Sequence, residues 1–228
     1  MRLAIVGYGK MGKLIEQVAP EYGFQVALKL DIDNNVDGAG ITAENFRGID
    51  VAVEFSAPSV VVDNIERMAA LGARMVVGTT GWFDQLPRAR AAVERGGAGL
   101  VYSPNFSVGM HVFAKTVETA AQWLRHEPDY DAWAYEIHHK MKKDAPSGTL
   151  LKLQQVMEQA GYSRRIDVAS NRAGTLPGTH QIGFDSEADT ITLTHTARSR
   201  LGFARGALKA ARWIAGKRGV YEFADVLS

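Results

Sequence analysis

The first twelve residues, MRLAIVGYGKMG (Met1–Gly12), join a short apolar run to three glycines spaced Gly-x-Gly-x-x-Gly. The run Leu3–Val6 predicts a buried strand, and the residues after it have helical spacing. In a strand-loop-helix unit the first glycine permits a tight turn, the second lets the backbone approach a pyrophosphate, and the third allows close helix packing. Free N–H groups at the helix start then hold the phosphates. We therefore expect a dinucleotide site made by Gly7, Tyr8, Gly9, Lys10, Met11 and Gly12.

An acidic residue follows the second predicted strand. Asp31 comes directly after Val26–Leu30, 19 residues past the last glycine of the loop. An acid at this place accepts hydrogen bonds from the adenosine ribose hydroxyls, and Asp33 is a second candidate. A carboxylate here repels a 2′-phosphate and favours NADH, whereas Lys29 and Lys10 would tolerate NADPH. We expect NADH, NADPH or both as cofactor.

Short β-branched runs alternate with helical stretches in the first half of the chain, which is typical of a parallel sheet covered by crossover helices. The predicted strands are Leu3–Val6, Val26–Leu30, Val51–Phe55, Met75–Gly78 and Leu100–Tyr102, and the predicted helices are Lys10–Ala19, Ser59–Leu71 and Phe83–Arg95. The connection from residue 31 to residue 50 is expected to hold little or no helix.

A second loop with ligand-binding character follows the fourth predicted strand. Ligands of open α/β sheets lie beyond the carboxyl ends of the strands, where Gly78, Thr79 and Thr80 would meet the nicotinamide half of a dinucleotide. Taken alone, the same residues also fit a turn with capping threonines.

The pattern changes after Pro104. Ser107–Arg125 predicts one long helix, and the residues beyond it alternate with period two rather than forming βαβ units. DTITLTHT (Asp189–Thr196), paired with GTHQIGF (178–184), predicts a β-hairpin. A last helix at Arg205–Ala215 could return to the first sheet.

These patterns together predict an α/β protein of two domains. Residues 1–106 and about 203–228 would form a discontinuous dinucleotide-binding domain on a Rossmann-like parallel sheet. Residues 107–202 would form an α+β domain with a mixed or antiparallel sheet, for substrate binding and oligomerisation.

Composition excludes several kinds of function. The 228 residues include 26 Lys and Arg against 25 Asp and Glu, a net charge of +1, without the basic excess of a nucleic-acid binder. No run approaches the roughly 18 apolar residues of a membrane helix, and the first apolar run is too short for a signal peptide. The absence of cysteine removes thiolate metal sites and fits a reducing compartment. We expect a cytoplasmic protein without nucleic-acid or membrane partners.

The stretch EIHHKMKKDAPSGT (Glu136–Thr149) concentrates titratable groups just before an apolar helix. Adjacent histidines on a strand point to opposite faces, and no His-Glu-x-x-His spacing is present, so no metal site is expected. Taken singly, the histidines could be one buried and one exposed, and the lysines could form a solvated loop. Together with the N–H groups at the helix start they favour a small carboxylate ligand and general acid chemistry.

This stretch resembles the signature Glu-x-His-His-x-x-Lys-x-Asp-Ala-Pro-Ser-Gly-Thr of the dihydrodipicolinate reductases, nicotinamide-dependent enzymes of diaminopimelate and lysine biosynthesis. The glycine loop, VEFSAPS, VVGTTGW, SPNFSVGMHVF, RAGTLPGTHQIGF and HTARSRLGFARGAL occur in that family's order. The resemblance implies reduction of 4-hydroxy-tetrahydrodipicolinate, a small cyclic dicarboxylate, to tetrahydrodipicolinate by NADH or NADPH. It also implies a homotetramer.

The resemblance implies a role for each matching residue. His138 matches the proton donor and acceptor, and Lys142 matches the proton donor. The residues implied to hold substrate are His139, Ser147, Gly148 and Thr149. Those implied to bind cofactor are the glycine loop, Phe55, Gly78 to Thr80, Ser103, Pro104, Asn105 and Phe106. Three features depart from the family. The glycine loop is one residue shorter than in many members, the connection between strands two and three is much reduced, and Met141 stands where some members have another histidine.

Two other interpretations remain open. A different two-domain dehydrogenase could act on an aspartate-derived metabolite, although the histidine pair and the Ser-Gly-Thr helix start argue against it. A non-catalytic dinucleotide sensor would leave His138 and Lys142 without a role.

Overall fold

The computed structural model describes all 228 residues, which form two compact units. Unit 1 comprises Met1–Ser107 and Leu201–Ser228, and unit 2 comprises Val108–Arg200. None of the helices combines the length and the apolar character needed to cross a membrane.

Unit 1 is built on a parallel sheet of six strands. The strands are β1 (Arg2–Val6), β2 (Gln25–Leu30), β3 (Val51–Glu54), β4 (Arg74–Val77), β5 (Gly99–Tyr102) and β10 (Gly219–Glu222), where β6 to β9 belong to unit 2. Their order is β10-β5-β4-β3-β1-β2, and all neighbours run parallel. The predicted Rossmann-like sheet is confirmed, and its sixth strand, β10, was not predicted.

Helices cover both faces of this sheet. They are α1 (Lys10–Val18), α2 (Val61–Ala70), α3 (Leu86–Gly96) and α6 (Leu201–Ile214). One apolar cluster joins α1 and α6 to the sheet, and another joins α2 and α3 to its opposite face. The inner strands β1, β3, β4 and β5 are almost completely buried because both faces of the sheet are covered, whereas the edge strand β2 alternates exposed and partly buried residues.

Two details of unit 1 differ from or refine the sequence expectations. The predicted helix Phe83–Arg95 is divided into a 3₁₀ turn, Phe83–Gln85, and α3, which has a proline in its first turn. The connection between β2 and β3 holds only the 3₁₀ helix Val36–Gly38, in line with the expectation of little helix.

Unit 2 is a four-stranded mixed sheet with two helices. Its elements are α4 (Val108–Leu124), β6 (Asp131–His138), α5 (Gly148–Gln159), β7 (Ile166–Arg172), β8 (Thr179–Asp185) and β9 (Thr190–Thr196). The strand order is β7-β6-β8-β9, and the predicted β8–β9 hairpin is confirmed. However, β6 and β7 run parallel with α5 as their crossover, so the expectation that this half lacks βαβ units is wrong.

Strand β6 changes character along one face. Ala132 and Ala134 contribute to an apolar core with the helices of unit 2, and Glu136 and His138 follow them on the same buried face. The period-two pattern therefore delivers a carboxylate and an imidazole to the interior at the carboxyl end of the strand.

Candidate functional site

The predicted cofactor residues of unit 1 meet at one edge of its sheet. Because all six strands are parallel, the loops that follow them emerge together. The first residues of five of these loops are Gly7, Asp31, Phe55, Gly78 and Ser103. Backbone hydrogen bonds continue between them, for example from Phe55 N–H to the Val6 carbonyl at 2.8 Å.

The three glycines of the first loop stand in different surroundings. Gly7 has φ +90°, and a Cβ there would lie 2.4 Å from the backbone of Phe55. A Cβ on Gly12 would lie 2.5 Å from the carbonyl oxygen of Gly7. A Cβ on Gly9 would have no atom within 4 Å. The fold itself therefore requires glycine at the first and third positions, and the second faces open space.

Helix α1 starts immediately behind this loop. Its N-cap is Gly9, which supplies no side-chain hydrogen bond, and no acidic residue occupies its first turn. Lys10 is exposed at the first helical position and Met11 is half-buried. N–H groups at such a helix start are suited to bind a phosphate.

A polar cluster that was not predicted joins the glycine loop, α1 and β2. Tyr8 donates a hydrogen bond to Glu16, and Lys29 Nζ lies 3.1 Å from the same carboxylate. These two partners lower the pKa of Glu16. Asp31 follows this strand and is half-exposed. Its backbone N–H donates a 2.7 Å hydrogen bond to Asn34 Oδ1. Lys29 is thus already paired with an acid in this structure.

The loop after β4 is packed against the loop after β3. A Cβ on Gly78 would lie 2.1 Å from the ring of Phe55, so only glycine fits beneath that ring. Thr79 is buried and donates a 2.6 Å hydrogen bond to Glu54, while Thr80 is exposed. The indole N–H of Trp82 donates to the Thr79 carbonyl at 2.8 Å. Contacts with Phe55, Glu54 and Trp82 therefore fix Gly78 and Thr79 against the sheet, while Thr80 is exposed to solvent.

The segment Ser103 to Phe106 follows β5. Ser103 Oγ donates to the carbonyl of Asn105 at 2.7 Å, and Pro104 is exposed. Phe106 is buried, with its ring centroid 4.8 Å from that of Phe223.

The centre of the polar region in unit 2 is Glu136, which is fully buried. Its carboxylate accepts hydrogen bonds from Ser147 N–H (2.8 Å), the Ser147 hydroxyl, Ser170 Oγ (3.0 Å) and Arg172 Nη2 (2.8 Å). Burial alone would raise the pKa of Glu136, but the hydrogen bonds from Ser147 and Arg172 outweigh it and lower the pKa to about 2. Glu136 is therefore a buried anion paired with the half-buried guanidinium of Arg172.

Two imidazoles face the same carboxylate. His138 Nδ1 lies 3.3 Å and His180 Nε2 3.5 Å from Glu136 Oε2, and the two rings are 5.0 Å apart. Burial lowers the pKa of both, that of His180 to about 4, so both are neutral at pH 7. Gly178 leaves no space beside His138, because a Cβ there would lie 2.7 Å from Nε2. His180 was not among the predicted site residues, although its alternation with Ile182 and Phe184 marks an inward position.

The ligand atoms of Glu136, His138 and His180 lie within 4.8 Å of one another, a donor set that transition metals use. The carboxylate is already hydrogen-bonded to Arg172 and Ser147. A metal ion would have to share it with a guanidinium cation, which costs electrostatic energy. These contacts favour a hydrogen-bonded network, and the absence of a metal stays a prediction.

Lys142 and the start of α5 lie on the segment that follows β6. Lys142 Nζ contacts both carboxylate oxygens of Asp144, at 2.8 and 2.9 Å. Lys142 lowers the pKa of Asp144, and the backbone N–H of Gly148 adds to this effect. These two groups therefore already bind one carboxylate.

Ser147 caps helix α5 by accepting a 3.2 Å hydrogen bond from Leu150 N–H. Gly148 is exposed and Thr149 is half-buried in its first turn, and a Cβ on Gly148 would meet nothing within 4 Å. His139 lies just beyond β6, half-buried, and its carbonyl accepts from Lys142 N–H at 3.0 Å. The predicted substrate residues are thus on one continuous stretch.

Comparison with known proteins gives matches over the whole chain. The family model described as dihydrodipicolinate reductase, N-terminus, matches residues 1–106, and the model of the C-terminus matches residues 109–227. A 4-hydroxy-tetrahydrodipicolinate reductase of Christiangramia forsetii is 36% identical over 240 aligned residues, which cover 100% of this chain and 98% of the relative. The corresponding protein of Archaeoglobus fulgidus is 35% identical, with 100% of each covered.

Solved structures show the same fold. A dipicolinate-bound dihydrodipicolinate reductase from Paenisporosarcina sp. TG-14 has a TM-score of 0.81 at 24% identity, over 97% of both chains. An aspartate dehydrogenase from Thermotoga maritima has a TM-score of 0.53 at 10% identity, over 94% of this chain and 96% of that one. At these identities the likeness concerns the fold alone.

Proposed function

The chain belongs to the dihydrodipicolinate reductase family, and we propose that unit 1 binds the nicotinamide cofactor while unit 2 binds the dicarboxylate and supplies its proton. The activity is the reduction of 4-hydroxy-tetrahydrodipicolinate to tetrahydrodipicolinate, in diaminopimelate and lysine biosynthesis. The hydride donor is NADH, NADPH or both.

The observation that carries the assignment in unit 2 is the grouping of Lys142 and Gly148 around a carboxylate. In the structure this carboxylate belongs to Asp144. A substrate carboxylate offers the same oxygens to the same donors, and the uncrowded surroundings of Gly148 leave room for it. His139, Ser147, Gly148 and Thr149 form the proposed carboxylate site, in which charge-assisted hydrogen bonds supply the affinity.

The 4-hydroxyl group must first leave as water, which places a carbon–carbon double bond in conjugation with the ring C=N. Hydride addition to C4 of this ring then leaves an anionic enamine that must accept a proton at the neighbouring carbon. Lys142 is the proposed proton donor, since an ammonium group carries its proton to the ring as the negative charge forms. His138, neutral and held beside Glu136, is proposed to exchange protons with substrate.

In unit 1 the bound cofactor would supply the hydride. The residues proposed to hold it are Gly7, Tyr8, Gly9, Lys10, Met11, Gly12, Asp31, Phe55, Gly78, Thr79, Thr80, Ser103, Pro104, Asn105 and Phe106. Support comes from their common position at the carboxyl edge of the sheet and from the open space at Gly9. Asp31 would accept from the adenosine ribose, as an acid does after the second strand of such folds.

We further propose a homotetramer located in the cytoplasm. Trp133, Tyr135 and Ile137 alternate with the buried residues of β6 and lie half-exposed on the opposite face of the sheet. An apolar face of this kind favours association. Sedimentation equilibrium should give four times the chain mass of 24.8 kDa, and a monomer would contradict the proposal.

Ligand binding tests the substrate class without requiring turnover. Pyridine-2,6-dicarboxylate and the monocarboxylate picolinate differ by one anionic group. In a calorimetric titration the Kd of the dicarboxylate should be about tenfold or more below that of picolinate, because picolinate lacks the charge-assisted hydrogen bonds of one carboxylate. Equal affinities would contradict a site for two carboxylates.

A further inference from the structure

A hydrogen-bonded network lies along the proposed cofactor edge of unit 1, with Glu54 at its centre. Glu54 is the last residue of β3 and has 0% of its surface exposed. Its Oε2 accepts from the Thr79 hydroxyl at 2.6 Å, and its Oε1 accepts from the Ser56 hydroxyl. One side chain therefore joins the loop after β3 to the loop after β4.

Asn64 of α2 extends this network towards the loop after β2. Its Nδ2 donates to Glu54 Oε1 at 3.3 Å, and its Oδ1 accepts from Asn35 Nδ2 at 3.5 Å. Asn35 Oδ1 accepts from Gly40 N–H at 3.0 Å. The Glu54 network, defined as Asn35, Asn64, Glu54, Ser56 and Thr79, thus connects the proposed adenosine side to the proposed nicotinamide side.

A buried carboxyl group without a cationic partner lowers the stability of the fold, so stability does not explain why Glu54 lies at the centre of the network. All the hydrogen bonds to Glu54 come from hydroxyl, amide and backbone groups rather than from a cation. Burial accordingly raises the pKa of Glu54, although these donors partly oppose the effect. An apolar side chain would avoid the desolvation of a carboxyl group at this core position. Such a cost is characteristic of residues that serve a site.

The neighbour of Glu54 is fixed to the same loop. The Phe55 ring occupies the space where Gly78 would carry a Cβ. Two successive residues at the end of β3 therefore define the position of the loop Gly78 to Thr80, one by van der Waals contact and the other by a hydrogen bond.

We propose that Glu54 is a positioning residue for the cofactor, holding Thr79 and Ser56 in the geometry that seats the nicotinamide ring. The inference rests on the proposed function, in which the Gly78 to Thr80 loop binds the nicotinamide half. Glu54 itself acts through these side chains and takes no part in the chemistry.

The variant Glu54→Gln tests this role, with Glu94→Gln on the exposed face of α3 as the matched control. An amide cannot accept from both hydroxyls through its two ends, since one end is a donor. In a fluorescence titration without substrate, Glu54→Gln should raise the Kd for NADH about tenfold, and Glu94→Gln should not change it. With NADH deuterated at C4, the isotope effect on turnover should increase, because a displaced ring slows hydride transfer.

A merely structural role predicts a different result. Glu54→Gln would then lower the Tm and the active fraction, while the folded protein kept the wild-type Kd and isotope effect, and this outcome would overturn the proposal. If Glu54→Gln does not fold, the variants Thr79→Val and Thr79→Ser test the same contact, since only serine keeps the hydroxyl that donates to Glu54. Thr79→Ser should then bind NADH more tightly than Thr79→Val. Equal NADH affinities in these two variants would also overturn it. NADH binding by the wild type without reduction of the dicarboxylate would refute the reductase activity instead, so the two failures are distinguishable.

Discussion

The carboxylate of Glu136 accepts a 2.8 Å hydrogen bond from the backbone N–H of Ser147, the residue that caps helix α5. This contact joins the strand that carries His138 to the helix start proposed to bind the substrate carboxylates. Arg172 binds the same carboxylate from β7 at 2.8 Å. A single buried anion therefore holds together three elements of unit 2.

Glu136→Gln should destabilise unit 2 and weaken dicarboxylate binding. Removing the buried carboxylate leaves the half-buried Arg172 without its partner and costs about 3 kcal/mol. The carboxyl pKa is about 2 in the folded protein and 4.5 without its partners, so this stabilisation is present above pH 4.5. It is lost as the pH falls towards 2.

Urea unfolding of wild type and Glu136→Gln measures this dependence. The difference in free energy of unfolding should be largest near neutral pH and smaller at about pH 3.5. A difference that does not change with pH would contradict the ionised state assigned to Glu136.

His180 should remain neutral well below the usual range for histidine. Burial lowers its pKa from 6.5 to about 4, so the unfolded chain binds more protons between these values. The contribution of His180 to the free energy of unfolding is therefore fully present above pH 6.5, and it falls by roughly 3 kcal/mol as the pH decreases to 4. The imidazole C–H resonance, assigned with His180→Gln, should titrate near pH 4. Titration near pH 6.5 would show that the ring is solvated.

Gly9→Ala and Gly12→Ala should separate ligand binding from folding. The new Cβ at Gly9 has no atom within 4 Å, whereas that at Gly12 would lie 2.5 Å from a carbonyl oxygen. Gly9→Ala should keep the wild-type Tm and lose about tenfold or more in NADH affinity, because the methyl group displaces the pyrophosphate. Gly12→Ala should lower the Tm. If Gly9→Ala bound NADH as tightly as the wild type, the proposal that the glycine loop binds the cofactor would be wrong.

Lys142→Ala should lower turnover by about 10² to 10⁴ with little change in NADH affinity, if Lys142 is the general acid. Lys140→Ala, two residues away and exposed, is the matched control and should retain turnover. Equal activity of the two variants would contradict the role of Lys142.

Local patterns predicted most of the fold, and non-local pairing explains what was missed. The strands of unit 1 were predictable because a parallel sheet covered on both faces makes continuous apolar runs. Strand β10 has only four residues and forms by pairing with β5, more than a hundred residues earlier. Strand β7 was missed because it is a largely exposed edge strand, and its residues Ser170 and Arg172 bind Glu136 rather than pack in the apolar core.

Non-local contacts also limited the prediction of the site residues from the sequence. The stretch from Glu136 to Thr149 is contiguous, so it was visible as one motif. Arg172 and His180 approach Glu136 from 36 and 44 positions away, and no spacing rule connects them. Glu54 and Thr79 are likewise 25 residues apart and meet only because β3 and β4 are neighbours.

The most direct test of the central claim is a coupled assay of the purified chain. A synthase generates the cyclic substrate, and the loss of nicotinamide absorbance is followed with NADH and with NADPH. We expect oxidation of at least one cofactor that depends on the synthase and is abolished when the synthase is omitted. Oxidation no faster than in the synthase-free control, by a protein that binds NADH, would contradict the reductase activity.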